Sequence, residues 1–416
     1  MSTAVQPNPA DPLLGHDSRD APQPRPRRRQ TLGARAGFWV IAAAFLFAMA
    51  FSTIPTPLYP IYAARDGFPT WVITVVFAAY AVGVILSLFL VGHLSDRAGR
   101  RPMIQISIAV EVLAAVIFLF WNDVSGLIVA RFITGIGVGA LTASATAHLS
   151  ELAPRGSSRA GLVSTVVNTG GLAIGPLIAG LLAQFVPDPL TVPYLVFLVV
   201  LVVAVIAVAM VPETVERREE RPAYRPQRIA VPRADRPRFW AAAIGGFAAF
   251  SLLGLFTALA PTVLAVTMHE TSRLIAGLAT FTVFAASAVV QIGASRLQAR
   301  RQLVLGMVLT VLGLGLLALG VLVADLPLFF LSAVVGGAGV GLLFRSVIAV
   351  AAALAAPAAR GEVLAAVFLF AYAGLAVPAL LIGGALLVFP LTGILVVFAV
   401  AVGALAVFAD IRMLRR

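Results

Sequence analysis

Leu190–Val211 reads LTVPYLVFLVVLVVAVIAVAMV, without one charged residue. Coiled as a helix at 1.5 Å per residue it reaches about 33 Å, enough to cross a hydrocarbon core of about 30 Å. Five blocks of the same character precede it: Gly37–Ala63, Thr70–Val91, Pro102–Trp121, Val124–His148 and Arg159–Phe185. Six follow: Arg238–Met268, Ser272–Leu297, Leu303–Val323, Pro327–Ala356, Gly361–Val388 and Pro390–Ala409. The weakest divider is Phe389–Pro390. Read as one helix, Leu364–Ala409 would be about 69 Å long, so two crossings are expected there.

Composition agrees. Of 416 residues, 60% are hydrophobic and 12% charged, and the mean hydropathy is +1.00. A soluble domain could not keep so apolar a surface from other chains. In lipid only helices and closed barrels satisfy the backbone, and the short alternating strands of a barrel are not seen. The expected fold class is therefore an all-α integral membrane protein with twelve transmembrane helices.

The net charge of +12 comes from arginine, because there is no lysine. With both ends cytoplasmic, Arg65 and Arg273 fall in outer loops, Arg131 and Arg345 fall within helices, and all other arginines lie on the inner side. That asymmetry fits the positive-inside rule. It places a multi-pass protein in the cell membrane, against lipid, and accounts for the basic balance without nucleic acid. Residues 1–36 read as a disordered cytoplasmic tail with no apolar signal segment. Residues 37–211 and 238–409 form two six-helix bundles, 212–237 a cytoplasmic linker able to meet anionic lipid, and 410–416 a short tail.

The bundles repeat one another. Gly135-Ile136-Gly137-Val138-Gly139 in the fourth block matches Gly337-Ala338-Gly339-Val340-Gly341 in the tenth, 202 residues on. Gly171-Leu172-Ala173 followed by Pro176 matches Gly374-Leu375-Ala376 followed by Pro378. Internal repeats of this kind are common in transporters.

Much chemistry is excluded. There is no cysteine, hence no disulfide or thiolate metal site. His16, His93, His148 and His269 are scattered without metal-ligand spacing, so no metal is expected, and no other cofactor. The phosphate loop needs a lysine, so no nucleotide is expected. No pair of catalytic carboxylates or histidines shares a membrane leaflet, which argues against an enzyme.

Between the second and third blocks lies Gly92-His93-Leu94-Ser95-Asp96-Arg97-Ala98-Gly99-Arg100-Arg101-Pro102. This resembles the signature loop of the major facilitator superfamily, G-x-x-x-D-R-x-G-R-R, at every defined position. Arg131-Phe132-Ile133-Thr134-Gly135-Ile136-Gly137 resembles that family's R-x-x-x-G-x-G motif. Gly171 to Gly180, with Gly175 and Pro176, resembles the motif of its drug:proton antiporters. The resemblance implies two pseudo-symmetric bundles (the major facilitator fold) and alternating access about a central cavity.

It also implies site roles. Gly92, Asp96, Arg97, Gly99, Arg100 and Arg101 would form a conformational latch, with Asp96 touching the start of the eleventh helix near Gly361 in the outward-facing state. Gly171, Gly175, Pro176 and Gly180 would form a gate in helix 5, or simply pack it closely. From the residues themselves, Arg131 is costly at its depth and needs a partner. Glu111 is the ionic option, acting with it as a proton relay or as a static pair. Arg345 either snorkels or lines the cavity and attracts an anion. His148 reads as a rim residue. Thr53, Tyr80, Asn168, Phe256, Gln291 and Tyr372, with Ser52, Thr56, Tyr59, Thr169 and Phe370, sketch a largely apolar pocket for small molecules. The expected activity is proton-coupled export of hydrophobic or amphipathic compounds. The alternatives are a proton symporter importing a metabolite and a receptor or scaffold that moves nothing.

Overall fold

Backbone N–H and C=O groups in lipid must find partners within their own segment, and an α-helix provides them. The computed structural model of the chain has twelve helices long and apolar enough to cross a membrane, and no strand among the described residues. It describes residues 32–90, 98–154, 159–215, 235–294, 297–354 and 360–414. The helices are α1 (Ala34–Asp66), α2 (Thr70–Leu90), α3 (Arg100–Phe120), α4 (Val124–Leu152), α5 (Arg159–Phe185) and α6 (Val192–Ala209). Then come α7 (Arg236–Ala258), α8 (Arg273–Gly293), α9 (Ala299–Leu322), α10 (Leu326–Leu354), α11 (Arg360–Ala385) and α12 (Leu391–Leu414).

Two spans are broken, both by proline. In α1 the α-helix stops at Thr53, and Pro55 and Pro57 redirect the chain through a 3-10 turn, Thr56–Leu58. After α7 the chain continues as a short helix, Ala260–Thr267, with Pro261 in its first turn, where a missing N–H costs nothing. Between α11 and α12 a turn separates two helices, as the length argument expects. The tail drawn at residues 410–416 needs correction. The last helix runs on to Leu414, and Asp410 is wholly buried in it.

With an even number of crossings, both described ends lie on one face, called here the near face. There the amide of Leu32 donates to the Met210 carbonyl at 2.8 Å, and Gly37 sits against Val211 and Leu152. All four tryptophans lie close to helix ends and are well exposed: Trp39 and Trp240 towards the near face, Trp71 and Trp121 towards the far face. Such amphipathic rings settle at the two membrane–water boundaries.

The repeat holds in three dimensions. Gly135 of α4 meets the backbone of Tyr80 in α2, and Gly337 of α10 meets the backbone of Val283 in α8. One turn further on, Gly139 lies against Ser87 and Gly341 against Ser287. Small residues let these helices approach backbone to backbone. The peripheral helices turn large apolar side chains outward, Val199 and Val203 on α6 and Val397 and Val400 on α12.

The bundles meet at their far ends. Gly277 of α8 is set against the Pro176 carbonyl of α5, Gly180 against the Arg273 carbonyl, and Gly383 of α11 against the Thr74 side chain of α2. At mid-depth the rings of Tyr80 and Tyr372 meet edge to face, centroids 6.5 Å apart. At the near ends of α5 and α8, Gly161 and Gly293 have no atom within 4 Å of where a side chain would start. The tight glycine contacts between the bundles thus lie at their far ends.

Candidate functional site

Arg131 lies about 10 Å along α4 from the far face and is 1% exposed. One guanidinium nitrogen donates to the Ser52 carbonyl at 2.5 Å. That carbonyl belongs to the last turn of the α-helical part of α1, where carbonyls lose their partners. The guanidinium also lies over the ring of Tyr80, 4.4 Å from its centroid, and 5.9 Å from that of Phe77. A desolvated guanidinium gains substantially on an aromatic face. Arg131 thus joins α1, α2 and α4.

Glu111 is not its partner, which corrects the expected ion pair. The Glu111 side chain packs against Gly137, six residues and about 9 Å further along α4. It is 0% exposed, and neither carboxyl oxygen has a hydrogen-bond partner among the described residues. The guanidinium finds a free carbonyl and two rings at its own depth, so it does not reach down the helix. At the matching seam of the second half, Gly339 faces Thr310. The carboxyl belongs to the first half alone.

Gly92, Asp96 and Arg97 lie outside the described residues. Gly99, Arg100 and Arg101 anchor the remainder of that loop. Gly99 has φ +100°, and any side chain there would collide with the Glu213 carboxylate. Glu213 accepts from the Arg100 amide at 3.0 Å and the Arg101 amide at 3.1 Å, capping the positive start of α3. Arg100 donates to Glu151 at 3.1 Å, and Thr214 donates to the other Glu151 oxygen. Arg101 reaches the carbonyls of Ala209 and Val211. The near ends of α3, α4 and α6 are tied together within one half. His148, expected on a rim, is fully buried beside Glu151 and Glu213. Glu151 and Glu213 were missed in the sequence because their partners are 51 and 113 residues away.

The helix-5 motif divides its work. Gly171 meets Leu46 and Met49 of α1, and Gly175 meets Ala50 and the Thr53 hydroxyl, all inside the first half. Pro176 and Gly180 face α8 across the boundary. Arg273 adds polar contacts there. Its amide donates to Gln184 at 3.0 Å and its guanidinium to the Ala183 carbonyl at 2.9 Å.

Among the pocket residues, Thr53 donates to the carbonyls of Ala50 and Leu172 and so binds α1 to α5. Phe256 is buried against Phe329, ring centroids 5.2 Å apart. These two serve packing within a half, a correction to their expected place on the cavity. Asn168 is half-buried on α5. Gln291 donates to the Ser287 hydroxyl at 3.2 Å, and its own carbonyl accepts from Arg345 at 2.8 Å. Tyr372 touches Tyr80 on one side and Phe250 on the other, at 5.5 Å. Phe250 continues to Phe344 at 4.8 Å, and Phe344 to Phe368 at 5.7 Å. A chain of rings therefore leads from Arg131 across the boundary into the second half. The sequence hid Phe250, Phe344 and Phe368 among 26 phenylalanines.

Residues 40–319 match the family described as Major Facilitator Superfamily. The arabinose-proton symporter of Bacillus subtilis (strain 168) is 33% identical over 79 residues, 19% of this chain and 17% of that protein. The multi-drug resistance efflux pump PmrA homolog of Lactococcus lactis is 28% identical over 112 residues, 27% of this chain and 28% of that protein. The chain thus matches less than a third of either relative's length. The fold is shared with a bacterial homolog of the human lysosomal transporter Spinster, solved inward-facing and unoccupied: TM-score 0.68, 14% identity, 91% of this chain and 97% of that one.

Proposed function

Because the chain belongs to the Major Facilitator Superfamily, we propose that it is a secondary active transporter that exports small hydrophobic or amphipathic compounds in exchange for protons by alternating access. The observation that carries this reading is the two-bundle arrangement itself. The bundles touch through glycines at the far face, and a chain of rings runs between them at mid-depth. In this reading the near face is cytoplasmic, as the arginine asymmetry expects, and the membrane is the cell membrane. The Gly175-Pro176 to Gly180 motif, packed across the boundary at the far end, supports exchange with a sealed outer gate. Asp96 and its loop would latch the near ends when the bundles rock the other way.

Glu111 is the proton carrier in this proposal. An isolated carboxylate in an apolar interior is expensive, so its charge state and its surroundings must change together. In this proposal Arg131 responds to that change through Tyr80 and α4. A second reading, proton-coupled import, is favoured by the stretch resembling a sugar symporter. Purified chain in vesicles with an imposed pH gradient separates the two. Export by exchange drives solute towards the acidic side, and symport drives it away. Absence of any proton-dependent flux across a broad compound panel defeats both and leaves a scaffold.

A further inference from the structure

We propose that the cavity selects planar aromatic solutes bearing one negative charge, held by the rings of Phe250, Phe344, Phe368 and Tyr372 and by the guanidinium of Arg345. This specifies the substrate class of the cavity proposed above and rests on that reading for its transport role.

The four rings come from α7, α10 and α11. Each touches the next at 4.8–5.7 Å between centroids, and each is half-buried. Half-buried rings keep surface free to stack against a further flat ring. They lie in the second half, with Phe368 one turn of α11 closer to the near face than Tyr372.

Helical geometry aims Arg345 into the same space. Leu343 meets Gly306 of α9, a helix that turns Leu312 and Leu319 outward. At about 100° per residue, Arg345 stands roughly 200° from Leu343, on the side away from α9. Gly341, one turn earlier, faces Ser287 of α8, and Arg345 reaches the carbonyl of Gln291, one turn further along α8. The side chain therefore stays at the α8–α10 seam, half-buried, beside Phe344. One nitrogen is used on that carbonyl, and no carboxylate partners it among the described residues. A guanidinium carries five N–H donors in a flat fork that suits a carboxylate.

No acid among the described residues forms an ion pair with Arg345. Glu111 and Asp410 are buried on α3 and α12. Glu151 and Glu213 are engaged by Arg100 and the start of α3. Glu362 lies in the first turn of α11, six residues and about 9 Å from Phe368 towards the near face. Arg131, at the other end of the ring chain, is as deeply buried as Glu111. The half-buried guanidinium of Arg345, with no carboxylate on it among the described residues, favours an anion over a cation beside it.

Calorimetric titration of the full-length chain in detergent tests this with 1-naphthoate, 1-naphthamide, 1-naphthylmethylammonium and cyclohexanecarboxylate. Naphthoate should bind about tenfold more tightly than naphthamide, the scale of a charge-assisted hydrogen bond. Cyclohexanecarboxylate should bind about tenfold more weakly than naphthoate for want of a flat ring, and the ammonium should not bind. Arg345→Gln should bring naphthoate to within about twofold of naphthamide, whereas Arg345→Lys, which keeps the charge, should retain most of the preference. Phe344→Leu should weaken both naphthyl ligands. Equal binding of the ammonium, failure of naphthoate to bind, or a preference that survives Arg345→Gln in a chain of unchanged melting temperature overturns the proposal. These measurements need no gradient. Selective binding without flux in vesicles would remove the transport reading and leave the selectivity standing. Flux of neutral or cationic solutes untouched by Arg345→Gln would do the reverse.

Discussion

At Arg131 the needs of a buried cation are met by a backbone carbonyl and two rings rather than by an acid. A lysine would keep the charge and lose the flat stack on Tyr80. Arg131→Lys should therefore lower transport by about tenfold, the scale of one such contact, with insertion unchanged. Flux at the wild-type rate would show that the stack is idle. Glu111 invites the complementary change. Glu111→Gln keeps the shape and removes the proton site, so flux should lose its dependence on the pH gradient while the melting temperature stays at or above that of the wild type. Retained coupling would remove Glu111 from the proton path. A charge inside a span is legible in sequence, because lipid makes it conspicuous. Its partner was not, because the Ser52 carbonyl is free only where α1 happens to stop, and a carbonyl has no letter of its own.

At the scale of elements, the repeated glycines set how closely α2 meets α4 and α8 meets α10. A side chain at Gly135 would start 2.1 Å from the Tyr80 carbonyl, so Gly135→Ala must push the two helices apart. Overpacking of this kind costs about 1–3 kcal/mol, and here it would also lift Tyr80 from Arg131. A melting temperature several degrees lower, with weakened flux, is expected. Gly384, with nothing within 4 Å, should accept alanine without loss and is the control; equal behaviour of the two would mean that the seam is softer than its geometry. The number of spans, their repeat and these glycines could be read from the sequence. Which face each span turns inward could not. Lipid and protein core both favour apolar side chains, so Thr53 and Phe256 carried no mark of being buried within one half, and Phe250 and Phe344 no mark of joining the chain of rings that starts at Tyr80.

For the whole molecule, the balance between two openings depends on contacts that exist in only one of them. If the bundles rock as proposed, the far-end clamp is such a set. Gly180 and Gly277 allow α5 and α8 to touch, and Arg273 ties the start of α8 to Gln184 and Ala183. The sequence identified Arg273 only as a rare outer arginine, since its acceptors are a side-chain amide 89 residues away and a backbone carbonyl 90 residues away. Arg273→Ala removes one charge-assisted hydrogen bond from the near-open form, about 1.5–3 kcal/mol. The equilibrium should then move towards the far-open form by roughly ten- to a hundredfold. Because the chain has no cysteine, paired spin labels can be introduced without background. Phe185→Cys with Thr271→Cys spans the far ends of the bundles, and Gly161→Cys with Gly293→Cys spans the near ends. Pulsed dipolar spectroscopy should show the far pair lengthening and the near pair shortening when Arg273 is replaced. If the far pair lengthens alone, the clamp holds a local contact and the bundles are not rigid bodies. If neither distance changes, the glycine contact between α5 and α8 closes the far face without help from the arginine.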